Sequence, residues 1–361
     1  MDRQRASWRI IKGDEALVRL LLVLFIALAP AEGVHALGRC VDGDCENGRG
    51  TFELPGGVVY TGEFVDGVAQ GQGELRFPDG GRYEGAVRDG AAHGSGVRVF
   101  GDPASGPVDR YEGDWVDNRR TGRGTYTWAS GATYTGEFRD DEPSGTGRKV
   151  YASGGVYEGE WRAGKRHGHG VYQAADGARY EGEWREGMRH GRGEQRWANG
   201  DVYTGEWRDD ERDGEGEQRF ASGTVYDGRY RKGRPHGHGV QTAADGSRCD
   251  CEWKDGVPDG PGVRTWPDGG RYEGELRAGR EHGQGTRVWP GGHRYSGEWR
   301  NGRRHGHGVY TWASGTRYEG GFADDRMHGR GTLTSPDGSS RSGRWRHGDW
   351  VDASPASPER P

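Results

Sequence analysis

Aromatic, glycine and charged positions recur in a fixed cycle along most of this chain. Tyr157-Glu158-Gly159-Glu160-Trp161 is followed by Gly164 and then by His167-Gly168-His169-Gly170. The stretch returns as Tyr180-Glu181-Gly182-Glu183-Trp184, with Gly187 and His190-Gly191-Arg192-Gly193, and again at Tyr203, Tyr226, Tyr272, Tyr295 and Tyr318. From Tyr111 to Arg341 the interval is always 23 residues, with Cys249 and Arg341 standing where a Tyr is expected, and earlier copies begin at Tyr60 and Tyr83. That makes thirteen copies, the last degenerate. A fixed period of about 20–50 residues is the signature of a repeat array.

Within one cycle the alternation has period two and predicts two short strands. The first runs through Arg179-Tyr180-Glu181-Gly182-Glu183-Trp184-Arg185, with Tyr180, Gly182 and Trp184 on one face and the charged residues on the other. Gly187 and Met188-Arg189-His190 are expected to turn, and a second strand to start at Gly191, with Gly193, Gln195 and Trp197 on its apolar side. Asn199-Gly200, a strong hairpin dipeptide, then leads into the next copy. With every link short, neighbouring strands must be antiparallel. A Gly between two aromatics leaves a notch into which a ring from the adjacent hairpin can lie. The expected fold is all-β: an elongated single-layer twisted antiparallel meander of stacked β-hairpins, a repeat solenoid of about 26 strands and roughly 120 Å.

The pattern Y-x-G-E-[WF]-x-x-G-x-x-H-G-x-G resembles the MORN repeat (membrane occupation and recognition nexus). The resemblance spans residues 47–348. It implies a scaffold that self-associates or binds proteins, and phospholipid association.

Composition changes this picture little. Only 30% of residues are apolar and mean hydropathy is -1.04, values that lean toward disorder, yet 38 residues are Trp, Tyr or Phe, many at fixed places in the cycle. The formal net charge of -5 argues against nucleic acid as partner, which requires a clustered basic excess. Arginine outnumbers lysine 46 to 5, a bias read first as that of a GC-rich bacterial genome.

Residues 1–36 read as a signal peptide: Arg3, Arg5, Arg9, Lys12 and Arg19 precede the apolar run Leu20 to Ala29, and Val34-His35-Ala36 offers small residues for cleavage. A ten-residue run is too short to span a bilayer, which needs about 20. An uncleaved anchor is the alternative. Arg39 before Cys40 argues against a lipoprotein box. The expected organisation is then an N-terminal cap and half-repeat at 37–59, the array at 60–350, and a disordered tail at 351–361. Export permits disulfides, and Cys40 with Cys45 is a candidate pair. Cys249 and Cys251, two apart on a strand, stand at about 6.5–7 Å and are expected to pack as small apolar residues instead.

No cofactor, metal or catalytic constellation emerges. His93, His167, His190, His236, His282, His305 and His328 share one repeat position, but stacked hairpins would hold them about 9–10 Å apart. Metal ligation needs nitrogens about 2 Å from one ion. Turn histidines bonded to local backbone are the ordinary reading. The recurring Glu137, Glu160, Glu183 and Glu206 read as a solvated charge ladder rather than a desolvated acid pair. No hydrolase elbow, P-loop or kinase signature is present, and an enzyme is not expected.

One turn edge carries Arg119, Arg120, Lys165, Arg166, Arg189, Arg212, Arg234, Arg280, Arg303, Arg304 and Arg326. As one row they would meet lipid phosphates, each basic residue near an anionic membrane contributing about 1 kcal/mol. The structural aromatics are expected in Tyr157, Trp161, Tyr180, Trp184, Tyr203, Trp207, Tyr295 and Trp299. Three functions follow as expectations. The first is a non-catalytic scaffold of the bacterial cell envelope, periplasmic or secreted, whose partners are envelope proteins or itself. The second is a peripheral binder of anionic phospholipid. The third is a glycan binder whose exposed aromatics stack on sugar rings.

Overall fold

The computed structural model describes residues 38–351. The expected signal peptide and all but the first residue of the expected tail lie outside them. The described chain divides into two compact units, one of residues 38–176 with 184–187, the other of residues 177–183 with 188–351. Both are all-β, and among the described residues there are 28 strands and a single turn of 3₁₀ helix.

In each unit the repeating element is a hairpin of a seven-residue and a nine-residue strand, as in Val156–Arg162 with Lys165–Gln173 and in Val202–Arg208 with Glu211–Arg219. Consecutive strands pair antiparallel within and between hairpins. The second strand begins three residues earlier than the sequence pattern predicts, because the turn is shorter. Arg162 pairs with Lys165 across Ala163 (φ 49°) and Gly164 (φ 71°). Both turn residues are left-handed, the type I′ geometry whose twist matches the strands. Met188-Arg189-His190 is accordingly strand. The Asn199-Gly200 link is a wider loop, closed by Trp197 N–H donating to the Asp201 carbonyl (2.9 Å).

The H-G-x-G element is a bulge. Gly159 pairs with Gly170 while Glu160 pairs with His167, so Gly168 and His169 are extra. Gly168 is left-handed (φ 54°), and a side chain there would collide with the Glu160 carboxylate. That carboxylate accepts a hydrogen bond from His169 N–H at 2.8 Å. The same bond joins Arg192 N–H to Glu183 and His307 N–H to Glu298 (2.8 Å each). The recurring Glu therefore satisfies the backbone donor that the bulge removes from the ladder. It is not merely a solvated ladder.

The core is a column of rings on one face. Tyr157 lies flat over Gly159 and Gly170, and its hydroxyl donates to the Glu160 carbonyl (3.0 Å). The notch is thus filled by the hairpin's own Tyr, not by a neighbour's ring as the sequence suggests. The neighbour contributes the second layer. Trp184 stands edge-on to Tyr157 (5.4 Å between centroids) and its indole N–H donates to the Gly170 carbonyl at 3.1 Å. Unit two repeats this with Trp207 on Tyr180 and with Trp299 on Tyr272. The repeat tyrosines and tryptophans, Tyr203 and Tyr295 included, are buried. Burial of the phenols raises them: Tyr60 and Tyr318 are pushed up to about 12.

The surplus between Tyr83 and Tyr111 forms the 3₁₀ turn Pro103–Ser105, capped by Asp102, between the paired strands Ala91–Phe100 and Asp109–Val116. Cys40, in the first strand Arg39–Gly43, and Cys45, just after it, are joined in a disulfide (Cα–Cα 6.0 Å). Cys249 and Cys251 are joined as well, against expectation. Their Cα atoms are 5.5 Å apart, closer than the roughly 6.5–7 Å of a fully extended strand and within the range a disulfide spans.

Candidate interaction surface

The eleven basic residues expected to form one row fall on two faces, because adjacent strand positions point to opposite sides. Arg120, Arg166, Arg189, Arg212 and Arg304 lie on the aromatic face and are partly buried over rings. Arg166 stacks on Trp184 (4.0 Å to the centroid), Arg189 on Trp207 (4.2 Å) and Arg212 on Tyr230 (5.0 Å). Each reaches forward to the next repeat. Arg166 donates to the Gly187 carbonyl and Arg212 to the Gly233 carbonyl (2.6 Å each), and Arg120, Arg189 and Arg304 bond Asp141, Asp210 and Asp325. These are clamps between repeats.

The other six lie on the opposite face. Three are held by the next turn: Arg119 by Asp140 (2.9 Å), Lys165 by Glu186 (2.7 Å) and Arg303 by Asp324 (3.9 Å). Arg234, Arg280 and Arg326 are exposed, with no ion pair among the described residues. The continuous positive edge is therefore absent from the described residues.

The repeat histidines also sit on that opposite face, on the strand rather than in their own turn. They face the turn of the following repeat, where Asn301 N–H reaches His282 Nδ1 at 3.5 Å and Asp117 stands 3.4 Å from His93 Nδ1. Asp213 and Asp259, at the same position, accept from Lys232 N–H and Ala278 N–H. Where the bond forms, at His282, Asp213 and Asp259, it is between repeats, while Nδ1 of the other six histidines makes no hydrogen bond among the described residues. No cluster of three or more His, Cys, Asp or Glu able to hold a metal ion occurs among the described residues.

What remains open on the aromatic face is a row at the wide-loop edge of the hairpins. In unit one it holds Phe77, Phe100, Trp128 and Tyr151; in unit two, Trp197, Phe220, Trp266, Trp289 and Trp312. All are half-buried except Phe220, which is exposed. Their repeat position places them one step beyond the ring column, where the next repeat covers some of them only with the side chain of a cation.

Beside this row runs a position of mixed chemistry. It carries Arg98, Lys149, Arg264 and Arg287 among Leu75, Tyr126, Gln195 and Tyr310. Arg98 lies 3.4 Å over Phe77, Lys149 4.2 Å over Trp128, and Arg287 4.5 Å over Trp266. Burial lowers Arg98 to about 10, with partial compensation from Asp79, and lowers Lys149, whose like-charged neighbour Arg166 pushes the same way. Arg287 is paired with Glu281 (2.9 Å). The sequence pattern alone did not mark these four cations, because their position has no fixed residue type.

The family model for the MORN repeat matches twelve segments of this chain: 60–82, 83–102, 111–133, 134–156, 157–179, 180–202, 203–225, 226–248, 252–271, 272–294, 295–317 and 318–340. The thirteenth copy, at Arg341, is unmatched and consists of Ser340–Arg346 with the two-residue strand Asp349–Trp350. No curated protein matches the sequence. Among solved structures, the TCP10 domain of Danio rerio CPAP in complex with a STIL peptide is 13% identical, over 82% of this chain and 98% of that one, with a TM-score of 0.26. The TCP domain of Drosophila melanogaster SAS-4, solved with a proline-rich motif, is 12% identical over 57% and 97% of the two chains, with a TM-score of 0.27. Virginiamycin B lyase from Staphylococcus aureus is 9% identical over 86% and 88%, with a TM-score of 0.13. Similarity at this level carries no argument about function.

Proposed function

Since the chain belongs to the MORN-repeat family, we propose that it is a non-catalytic binding scaffold whose partner proteins dock on the half-exposed aromatic rows. One observation carries the reading. In each unit the Tyr and Trp columns are consumed by the fold, yet nine of the twelve repeats keep a further ring at one edge that is only half-buried or exposed, with Ala174, Ala243 and Ser335 in its place in the other three. Aromatic side chains left partly open in contiguous rows mark interaction sites, and they dominate the energetics of protein interfaces. The repeating Glu and Arg, by contrast, are accounted for by the bulge and the clamps.

The compartment rests on residues 1–36, whose basic start, apolar run and Val34-His35-Ala36 have the form of a cleaved export signal. The partners are then envelope proteins or further copies of this chain, in the periplasm or on the envelope. Anionic phospholipid is the weaker reading, since eight of the eleven proposed basic contacts are engaged by rings, carbonyls or carboxylates. A glycan would use the same open rings and is an outcome of the same test.

The test is a full-length variant carrying Trp266→Ala, Trp289→Ala and Trp312→Ala, compared with wild type in cross-linking from the envelope fraction. Wild type is expected to capture a discrete partner and the variant to lose it, with unchanged exchange of the buried repeat amides. Equal capture by both overturns the reading. Retention of wild type alone on peptidoglycan or glycan arrays, with no captured protein, transfers it to sugars.

A further inference from the structure

One place on this surface combines two cations and no counter-charge. Lys149 and Arg166, both half-buried in unit one, lie close enough for Arg166 to depress Lys149. Among the described residues neither makes an ion pair, and the Lys149 ammonium meets no protein acceptor. They stand in a box of rings. Lys149 is 4.2 Å from the Trp128 centroid and 5.2 Å from that of Tyr151, while Arg166 is 4.0 Å from Trp184 and 5.7 Å from Tyr172. Tyr151 and Tyr172 close the box edge to face at 6.0 Å.

Three comparable cations are neutralised, whereas Arg98 over Phe77 and Arg212 over Tyr230 stand singly without an ion pair among the described residues. Arg120 has Asp141 at 3.3 Å, Arg304 has Asp325 at 3.2 Å, and Arg287 has Glu281 at 2.9 Å. Two half-buried like charges without a carboxylate are unfavourable, and a lysine offers three donors that here remain free for a ligand. Ring faces around a cation stabilise it in part but supply no hydrogen-bond acceptor.

We infer that Lys149 and Arg166 form an acceptor site for a carboxylate side chain of an extended partner polypeptide, flanked by apolar contacts on Trp128 and Tyr151. The proposal rests on the scaffold reading and names the chemistry of the partner. A carboxylate on a flexible side chain can enter the recess between the rings. The phosphates of a flat lipid surface are held in a plane and meet the exposed rings first. The Lys149 donors then bond the carboxylate, and Arg166, already bound to the Gly187 carbonyl by Nη2, contributes mainly charge.

The experiment uses the full chain and a hexaglutamate peptide, with hexaglutamine as control, read by tryptophan fluorescence at low and high salt. Lys149→Met keeps the apolar stem and removes the charge. Hexaglutamate is expected to bind and hexaglutamine not, with Lys149→Met weakening binding about tenfold or more while leaving the ligand-free thermal midpoint unchanged or higher. Absent hexaglutamate binding, or binding indifferent to Lys149→Met, overturns the site. A lowered midpoint accompanying the loss overturns it too, since it marks a structural role. Vesicles of phosphatidylglycerol, but not phosphatidylcholine, binding through Lys149 without hexaglutamate binding would replace the peptide with a membrane. If cross-linking through the aromatic rows still captures a partner when hexaglutamate fails, the scaffold reading stands and the carboxylate site alone falls.

Discussion

The second glycine of H-G-x-G should be irreplaceable for a reason that the turn glycines do not share. At Gly216 the backbone is not left-handed, so an added methyl costs nothing in conformation. It would, however, sit 2.6 Å from Cε2 and Cζ of Tyr203. That ring is fully buried and cannot retreat, because Trp207 and Tyr230 stand edge-on to it at 5.2 and 5.1 Å and its hydroxyl is bonded to the Glu206 carbonyl. Overpacking a filled site costs about 1–3 kcal/mol, and expelling a ring of this size about 3–5 kcal/mol. Gly216→Ala should therefore destabilise its hairpin by about 3 kcal/mol. Gly233→Ala is the matched control, with φ 77° and nothing within 4 Å of the new methyl, so it carries only left-handed strain of about 1–2 kcal/mol. Hydrogen exchange of Val202–Arg208 and Glu211–Arg219 reads the difference locally, which suits an array that need not unfold in one step. Exchange about a hundredfold faster than wild type is expected in Gly216→Ala, and Gly233→Ala should exchange at least severalfold more slowly than Gly216→Ala. Equal acceleration in both would refute the ring-on-glycine account.

Several further outcomes are expected. Arg212→Lys should weaken its repeat by about 1–2 kcal/mol in the same exchange assay, since one ammonium cannot bond both Gln218 and the Gly233 carbonyl while lying over Tyr230. In alkali, buried tyrosines such as Tyr60 and Tyr318, raised to about 12, should ionise late by ultraviolet titration. Their unfolded pKa of about 10 lies below the folded one, so their contribution is full below pH 10 and lost as pH rises toward 12. In acid the sign reverses. Glu137 is lowered by the Thr146 backbone N–H and then by its hydroxyl, so its contribution is present above about pH 4.3 and lost as pH falls through the depressed value. Carboxyl-carbon NMR should show it titrating below ordinary glutamates, and Thr146→Pro should return it toward them. Mass measurement of the secreted or periplasmic chain should give an N-terminus at Leu37, whereas an intact residue 1 would remove the cleaved-signal reading.

The alternation of Tyr, Gly and Trp made the strands, the antiparallel order and the buried column legible from sequence, because each depends only on spacing within one strand. What escaped depends on register. Reading Glu160 as a bulge cap requires knowing that it faces His167 while Gly159 faces Gly170, a two-residue shift invisible in a linear pattern. Lys165 and Arg166 look alike side by side, yet pleating sends one to Glu186 and the other onto Trp184. The histidines escaped for a related reason, since their contacts lie in the next repeat's turn. Lys149 was overlooked because its repeat position holds Leu, Arg, Tyr and Gln elsewhere, so only its ring neighbours and missing counter-ion single it out.

The central claim is that partners meet the open aromatic rows and not the charged face behind them. A photo-crosslinking residue placed singly at Tyr151, Trp289 and Trp312, and at Glu181, Glu273 and Thr332 on the opposite face, tests it in the cells that make the protein. Adducts with the same partner from the three aromatic-face positions, and none from the other three, are predicted. Adducts only from Glu181, Glu273 and Thr332 would contradict it.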